Sequence, residues 1–171
     1  MGHADQLPAL EARLRAVEDH IAILNLVATY GPSVDGGAVE EAGRLWTEDC
    51  WYDSDASSAG ASGVHGRAGI EGVAKMTGDN QHGIAHVTHF PVVTVEGDRA
   101  TVLGHSNVFV ADGAAYGLAR VAANRWDLER IDGTWQVRLR VNRAADGSPG
   151  SKQVFAEGLR EAQAASAKGT R

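Results

Sequence analysis

The sequence predicts an α+β domain in which a curved antiparallel sheet of about four to six strands wraps over three N-terminal helices. Apolar residues recur with a period near 3.6 in the first half of the chain and with a period of 2 from His86 onward. Short turns separate the alternating segments at Glu96-Gly97-Asp98, Asp112-Gly113 and Asp132-Gly133, as in β-hairpins. Such a sheet must bury one face, and the preceding helices are the available cover. A cone-shaped ligand pocket is therefore expected between the two layers.

Three helices are predicted before the sheet. The first begins at Pro8 and ends near Gly31-Pro32, because apolar side chains between these points repeat at helical spacing. These side chains are Leu10, Leu14, Val17, Ile21, Leu24 and Val27. The second helix is predicted over residues 38–46 and the third over residues 66–77.

The remaining chain is predicted to form strands, a loop and a last helix. A short strand starts at Trp51-Tyr52, and the Ser-, Ala- and Gly-rich stretch 54–63 is predicted to be a mobile loop. Four alternating segments predict an antiparallel meander: 86–95, 99–110, 116–130 and 135–143. A final helix is predicted over residues 152–165, before a tail that frays. Residues 1–150 then form one pocket domain, and residues 151–171 form a C-terminal helix and frayed tail.

Composition excludes several classes of function. The chain has 171 residues and a formal net charge of −6, which disfavours binding to nucleic acid or to an anionic membrane. No apolar run approaches the roughly 20 residues that span a bilayer. The single cysteine, Cys50, is interpreted as core packing beside Trp51 rather than as a nucleophile. With no internal disulfide possible, a cytoplasmic protein is expected.

Asp35 follows the first predicted helix, and two interpretations of it are open. As the residue before Gly-Gly-Ala-Val, it could be the N-cap of the second helix. Alternatively, its carboxylate enters the pocket and orients a histidine, as carboxylates do in many acid–base sites.

Four histidines lie in one part of the sequence: His82, His86, His89 and His105. The spacing of His82 and His86 would suit a metal pair on a helix, but residues four apart on the predicted strand lie about 13 Å apart. No acidic ligand accompanies them, so no metal is expected. Strand alternation places His86 and His89 on opposite faces, so at most one of them enters the pocket. His86 is then either a general base, a role that suits a side chain largely neutral at pH 7 when unperturbed, or a core histidine.

Arg138, Arg140 and Asn142 alternate on the last predicted strand. One interpretation is a solvated strand face. The other is an arginine that faces the cavity and stabilises an enolate or a leaving anion. The sequence contains no phosphate-binding loop and no Gly-x-Ser-x-Gly elbow.

An ordered series of short motifs runs through residues 10–145. The motifs are Ile23-x-x-Leu26-Val27-x-x-Tyr30-x-x-x-x-Asp35, Leu45-Trp46-Thr47-Glu48-Asp49-Cys50-Trp51-Tyr52, Gly66-Arg67-x-x-Ile70, His86, Val92-Val93-x-Val95-x-Gly97-Asp98-x-Ala100 and Asp132-Gly133-x-Trp135. Together they resemble the SnoaL-like branch of the nuclear-transport-factor-like superfamily. That branch contains scytalone dehydratase, bile-acid 7α-dehydratase and lindane dehydrochlorinase.

The resemblance implies roles for particular residues. Asp35 and His86 match the family's catalytic carboxylate–histidine dyad. Four further residues match, or lie near, substrate-contacting positions: Tyr30, Tyr52, His105 and Arg140. Phe90 stands where the family commonly has an asparagine four residues after the dyad histidine. It is expected to contact substrate and to make the pocket more apolar.

Three kinds of function follow from these expectations. The first is a cofactor-independent lyase, of dehydratase or dehydrohalogenase type, or an isomerase, in which His86 abstracts a proton from a small hydrophobic cyclic substrate. The second is a non-catalytic small-molecule-binding or accessory domain on the same scaffold. The third is an assembly subunit, which is disfavoured because the dyad would then have no task. The resemblance also implies a homo-oligomer, a dimer or trimer that pairs through the outer face of the sheet.

Overall fold

The structure is a computed structural model that describes residues 3–55, 63–80 and 83–169. Most of the predicted loop 54–63 and His82 lie outside the described residues. The described elements are, in order, α1 His3–Asp35, α2 Val39–Arg44, β1 Trp46–Ser54, β2 Val64–His65, α3 Arg67–Gly78, β3 Ile84–Thr88, β4 Val92–Glu96, β5 Arg99–Asp112, β6 Ala115–Ile131, β7 Thr134–Ala144 and α4 Pro149–Gly169. The α+β class predicted from the sequence is confirmed. The last helix continues past the predicted end at residue 165, through part of the segment predicted to fray.

The strands form one open, curved sheet. Its seven strands follow the order β2-β1-β7-β6-β5-β3, and β4 also pairs with β5. Neighbours pair antiparallel except β1 and β7, which run parallel. The segment predicted as one strand over residues 86–95 forms two strands. His89 still donates its N–H to the His105 carbonyl, but the chain leaves the ladder after it, and Pro91 has no N–H to donate.

The inner face of the sheet packs against α1, α2 and α3. Trp46 and Trp126 are the largest fully buried side chains at this interface. Cys50 is also fully buried, and burial raises the pKa of its thiol to about 11. A thiol that stays protonated near neutral pH behaves as a small apolar side chain, which favours the core-packing interpretation.

The outer face of the sheet is partly covered by α4 of the same chain. Gly158 of α4 lies so close to β5 that an added Cβ would come within 2.8 Å of the Leu103 side chain. Arg125 of β6 forms an ion pair with Glu161 of α4 at 2.8 Å. The outer face therefore needs less cover from a partner than the sequence suggested.

The side of α1 that packs in the core is not the side on which most of the predicted apolar stripe lies. The residues that pack against the sheet and the other helices are Ile23, Leu26, Val27, Tyr30 and Val34. Most of the stripe that predicted the helix, from Leu10 to Ile21, is more than half exposed. Periodicity identified the helix correctly but not the face that packs in the core. No helix in the described part of the chain is both long and apolar enough to cross a membrane.

Candidate active site

The site lies where the end of α1 crosses the middle of β3. An added Cβ on Gly31 would lie 2.2 Å from the carbonyl oxygen of His86, so only glycine allows this approach. The helix stops one turn later at Gly36-Gly37, where Gly37 has a φ of 64°. As a result, the last residue of α1, Asp35, projects toward β3.

Asp35 and His86 contact each other twice. The backbone N–H of His86 donates to Asp35 Oδ2 at 2.7 Å, and ring Nδ1 makes a short hydrogen bond to Oδ1. A carboxylate acceptor at Nδ1 assigns the proton to that nitrogen, so Nε2 is left with a lone pair. The ring is 24% exposed and the Asp35 side chain 19% exposed, so the pair is sheltered but reachable. Since both carboxylate oxygens serve His86, and α2 has no side-chain cap, the N-cap interpretation of Asp35 is wrong.

Two negative electrostatic features lie beside the His86 ring. Asp35 stands at the C-terminal end of a 33-residue helix whose last turn contains no basic residue. The helix dipole and the carboxylate are both negative there, and both stabilise an imidazolium. The pair can therefore accept a proton at Nε2 and hold the resulting charge.

Arg140 forms the second part of the site. Its side chain is 2% exposed, and its guanidinium carbon lies 3.9 Å from the ring centre of Trp126. Two tyrosine rings complete the enclosure, with Tyr30 at 4.4 Å and Tyr52 at 4.7 Å. Aromatic faces stabilise a cation. Burial of a charge is nevertheless costly unless an opposite charge or strong hydrogen bonds compensate it.

The polar partner of Arg140 is an amide and not a carboxylate. Asn124 Oδ1 accepts from Arg140 Nε at 3.0 Å, from Arg140 Nη2 at 2.8 Å and from Asn142 Nδ2 at 2.8 Å. Asn124 in turn donates to Ser106 Oγ at 2.7 Å. Within the described residues, Arg140 Nη1 is buried without a hydrogen-bond partner. The inner face of the sheet thus holds a cation with one donor still available.

Tyr30 contacts both halves of the site. Its ring centre lies 6.3 Å from that of His86, in an edge-to-face arrangement, and its face carries the Arg140 guanidinium. Burial raises the pKa of the Tyr30 hydroxyl well above its ordinary value of 10.0, although the nearby Arg140 charge opposes this effect. Tyr30 therefore stays protonated near neutral pH and acts as a hydrogen-bond donor, not as a base.

Two predicted site residues lie away from this cluster. His105 is exposed on the outer face of the sheet, where its ring packs against Phe155 of α4 at 4.6 Å. Phe90 is 89% exposed in the loop between β3 and β4. The expectation that His105 and Phe90 contribute to the pocket is corrected. Strand alternation turns His105 outward, and the chain leaves the ladder before Phe90.

Asn124 and Ser106 were not identified from the sequence. A signal was present, because Asn124 interrupts an otherwise apolar face of a predicted strand at Ala122, Asn124, Trp126 and Leu128. Arg138 was grouped with Arg140, but a bulge between Asp127 and Leu128 removes Arg138 from the pairing. Arg138 is exposed and contacts Glu129 at 3.4 Å. Among the described residues, no group of three or more His, Cys, Asp or Glu side chains could hold a metal ion.

Comparisons with known proteins agree with this architecture. The family model of the SnoaL-like domain matches residues 15–141. An NTF2-like protein with a cystatin-like fold from Novosphingobium aromaticivorans is 37% identical over 86% of this chain and 96% of that chain, with a TM-score of 0.77. Rv3472, a protein of unknown function from Mycobacterium tuberculosis, is 22% identical over 86% and 96% of the two chains, with a TM-score of 0.66. A protein from N. aromaticivorans provisionally assigned as a scytalone dehydratase is 20% identical over 76% and 86%, with a TM-score of 0.63. These last two similarities concern the fold alone, and no curated protein matches the chain.

Proposed function

The chain belongs to the SnoaL-like family, which includes dehydratases and isomerases, and on this premise we propose that it is a cofactor-independent lyase or isomerase acting on a small hydrophobic cyclic substrate. The observation that carries the proposal is the double hydrogen bond between Asp35 and His86, which leaves Nε2 free to accept a proton. Proton abstraction from carbon needs a base and a group that stabilises the developing negative charge. The chain supplies both from its own side chains.

His86 is the base in the proposed reaction. Its Nε2 lone pair takes a proton from a carbon next to an electron-withdrawing group of the substrate, and the C–H electron pair moves toward that group. Asp35 holds the ring in place and stabilises the imidazolium that forms, without itself taking the proton. In an isomerisation the same proton returns to another carbon. In an elimination the electron pair forms the new C=C bond as hydroxide or halide departs. A departing hydroxide takes the proton from the His86 imidazolium and leaves as water, whereas after the departure of a halide that proton passes to solvent.

Arg140 and Tyr30 stabilise the negative charge that develops. The guanidinium is buried and has no carboxylate partner in the described part of the chain, so its charge is little compensated and acts at low dielectric. The Tyr30 hydroxyl stays protonated and can donate to a carbonyl or leaving-group oxygen. Tyr52, which is partly buried and lies 4.7 Å from the guanidinium carbon, gives the site an aromatic side chain that suits an apolar ring.

The test is exchange of substrate hydrogen with solvent deuterium, measured by mass spectrometry on a panel of cyclic hydroxy-ketones and halogenated rings. This readout detects proton abstraction even when no leaving group departs. His86→Gln is expected to lower the rate by roughly 10²–10⁴-fold and to leave the fold intact. Asp35→Asn is expected to cause a similar loss, because an amide at this point favours the imidazole tautomer with the proton on Nε2.

His89→Gln is the matched control, since His89 lies three residues from His86 but is exposed outside the site. It should exchange substrate hydrogen at the wild-type rate. Retained exchange in His86→Gln would refute the assignment of the base. If no panel member exchanges, while wild type and His86→Gln bind the same ring compounds equally well in thermal-shift assays, the chain is a non-catalytic binding domain instead.

A further inference from the structure

The N-terminal half of α1 carries an apolar stripe that nothing in the described chain covers. Residues 6–18 of the helix are exposed on every side. We call the stripe the seam. Its members and their exposed fractions are Leu7 62%, Leu10 59%, Leu14 56%, Val17 55% and Ile21 52%. Isolated helices of this length are only marginally stable in water, so such a segment needs a packing partner.

The spacing of the seam identifies the kind of partner. Successive members are separated alternately by three and four residues, which is the heptad pattern of a two-helix coiled coil. The seam also lies on the opposite side of α1 from the residues that pack in the core, such as Ile23, Val27 and Tyr30. A second helix can therefore reach the seam without displacing the domain.

Charged residues beside the seam are complementary to a second copy of the same helix. With Leu7, Leu14 and Ile21 at heptad position a, Glu11 and Glu18 occupy position e, and Arg13 occupies position g. In a parallel pair, a residue at g faces the residue five positions later at e on the other helix, so Arg13 faces Glu18 of the second copy. In an antiparallel pair, the e positions face each other and bring glutamates together.

The seam continues into the body of the domain. Beyond Ile21, the next heptad positions are Leu24 and Ala28, which line a groove of about 240 Å³ together with Phe90 and Pro91. Phe90 is 89% exposed in this groove, an unusual environment for a large aromatic side chain. A partner helix lying along the seam would reach it.

We propose that two copies of the chain associate through a parallel coiled coil of their α1 seams, with Phe90 of each copy packed beside the partner helix. The domains then lie on the outer sides of the pair, because each packs on the face of its own α1 opposite to the seam. This interface differs from the outer face of the sheet, whose centre α4 of the same chain covers.

The first test measures the mass of the full chain by analytical ultracentrifugation over a range of micromolar concentrations. The wild type is expected to sediment as a dimer, and the double variant Leu14→Glu/Val17→Glu as a monomer with an unchanged circular dichroism spectrum in the sheet region. Ala9→Glu/Ala12→Glu is the matched control, because it adds the same charge on exposed positions away from the seam. It should remain a dimer.

The second test addresses the orientation of the two helices. Glu18→Arg places like charges together in the parallel pair and should raise the dissociation constant roughly fivefold or more, whereas Arg13→Glu/Glu18→Arg should restore it. Val17→Cys should form a disulfide between copies on oxidation, since equivalent seam positions meet in a parallel pair. Ala12→Cys, on the far side of the helix, should not.

Four outcomes would overturn the proposal. One is a wild-type chain that remains monomeric. Another is a dimer that survives Leu14→Glu/Val17→Glu, which would place the interface elsewhere. The third is a monomer that cosediments with phospholipid vesicles through the seam, which would assign the stripe to a lipid surface. Tighter association of Glu18→Arg would refute the parallel orientation.

Discussion

Arg130 of β6 and Arg140 of β7 are arginines on neighbouring strands. Each packs on a tryptophan ring, but Arg130 has a carboxylate partner and Arg140 has an amide partner. The guanidinium carbon of Arg130 lies 4.4 Å from the ring centre of Trp135, and that of Arg140 lies 3.9 Å from the ring centre of Trp126. Arg130 donates to both carboxylate oxygens of Asp19 at 2.7 Å. Arg140 instead donates twice to a single amide oxygen of Asn124 and retains an unpartnered buried donor.

The difference separates a structural cation from one that is free to act on a ligand. Asp19 of α1 also accepts from Trp135 Nε1 at 3.1 Å. Asp19, Arg130 and Trp135 thus form a first cluster that joins the helix to the sheet, and the Asp19 carboxylate compensates the charge of Arg130. The second cluster is formed by Arg140, Asn124 and Tyr30, and no carboxylate of the described residues pairs with its guanidinium. Tyr30 of this cluster contacts His86. A buried cation without a counterion destabilises the free protein. Such a cation has a function if it stabilises the negative charge that develops on a bound substrate.

Among the tests of this comparison, the largest effect is expected from giving Arg140 a carboxylate partner like that of Arg130. Asn124→Asp supplies Arg140 with a carboxylate of nearly the same shape, and the Ser106 hydroxyl can rotate to donate to it. The rate of hydrogen exchange on an active substrate should fall by roughly 10²–10³-fold, because Arg140 is then neutralised before the substrate binds. The melting temperature should stay the same or rise.

Asn107→Asp on the outer-facing side of β5 is the control for the added charge and should leave the rate unchanged. If Asn124→Asp retains full activity, the uncompensated charge of Arg140 is not used in the reaction.

A smaller effect is expected from removing the carboxylate of the first cluster. Asp19→Asn should lower the free energy of unfolding by about 2 kcal/mol, because it leaves Arg130 and Trp135 poorly paired. The hydrogen bonds from Arg130 lower the pKa of the Asp19 carboxyl below its ordinary 3.8. Its stabilisation is therefore present above about pH 4 and is lost as the pH falls through the lowered value.

Thermal melts from pH 8 down to pH 3 would check this sign. The gap between wild type and Asp19→Asn should be constant at neutral pH and should narrow below about pH 4. Asp98→Asn is the control, since Asp98 also contacts Arg130, at 3.0 Å, but is 80% exposed. This substitution should change the free energy of unfolding by less than about 0.5 kcal/mol. A gap that widens in acid would contradict the assigned pKa shift.

The smallest effect is expected at His105, which lies on the outer face of the sheet. His105→Ala removes the ring contact with Phe155 and should lower the free energy of unfolding by about 0.5 kcal/mol. The KM and kcat for any substrate found should not change. A change in KM without a change in stability would return His105 to the site.

The order of the elements could largely be predicted from the sequence, because helix and strand periods and glycine turns are local. The bulge that excludes Arg138 was missed because it depends on pairing with β6. The break at Pro91 was missed although proline, which has no N–H for the ladder, is a local signal. Within the site, the contact between Asp35 and His86 was expected from a family resemblance. Local sequence alone left both residues with other interpretations.

The sequence by itself determined which residues share a face of a helix or strand. The tertiary structure decided which of those faces are buried. The period of α1 put Leu10, Leu14 and Val17 on one stripe, but the domain packs on the opposite side of the helix. The alternation of β7 paired Arg140 with Asn142, and the approach of α1 and β1 enclosed Arg140 beneath Tyr30 and Tyr52. The physical reason is that periodicity follows from the geometry of one segment, whereas burial and charge compensation depend on its packing partners.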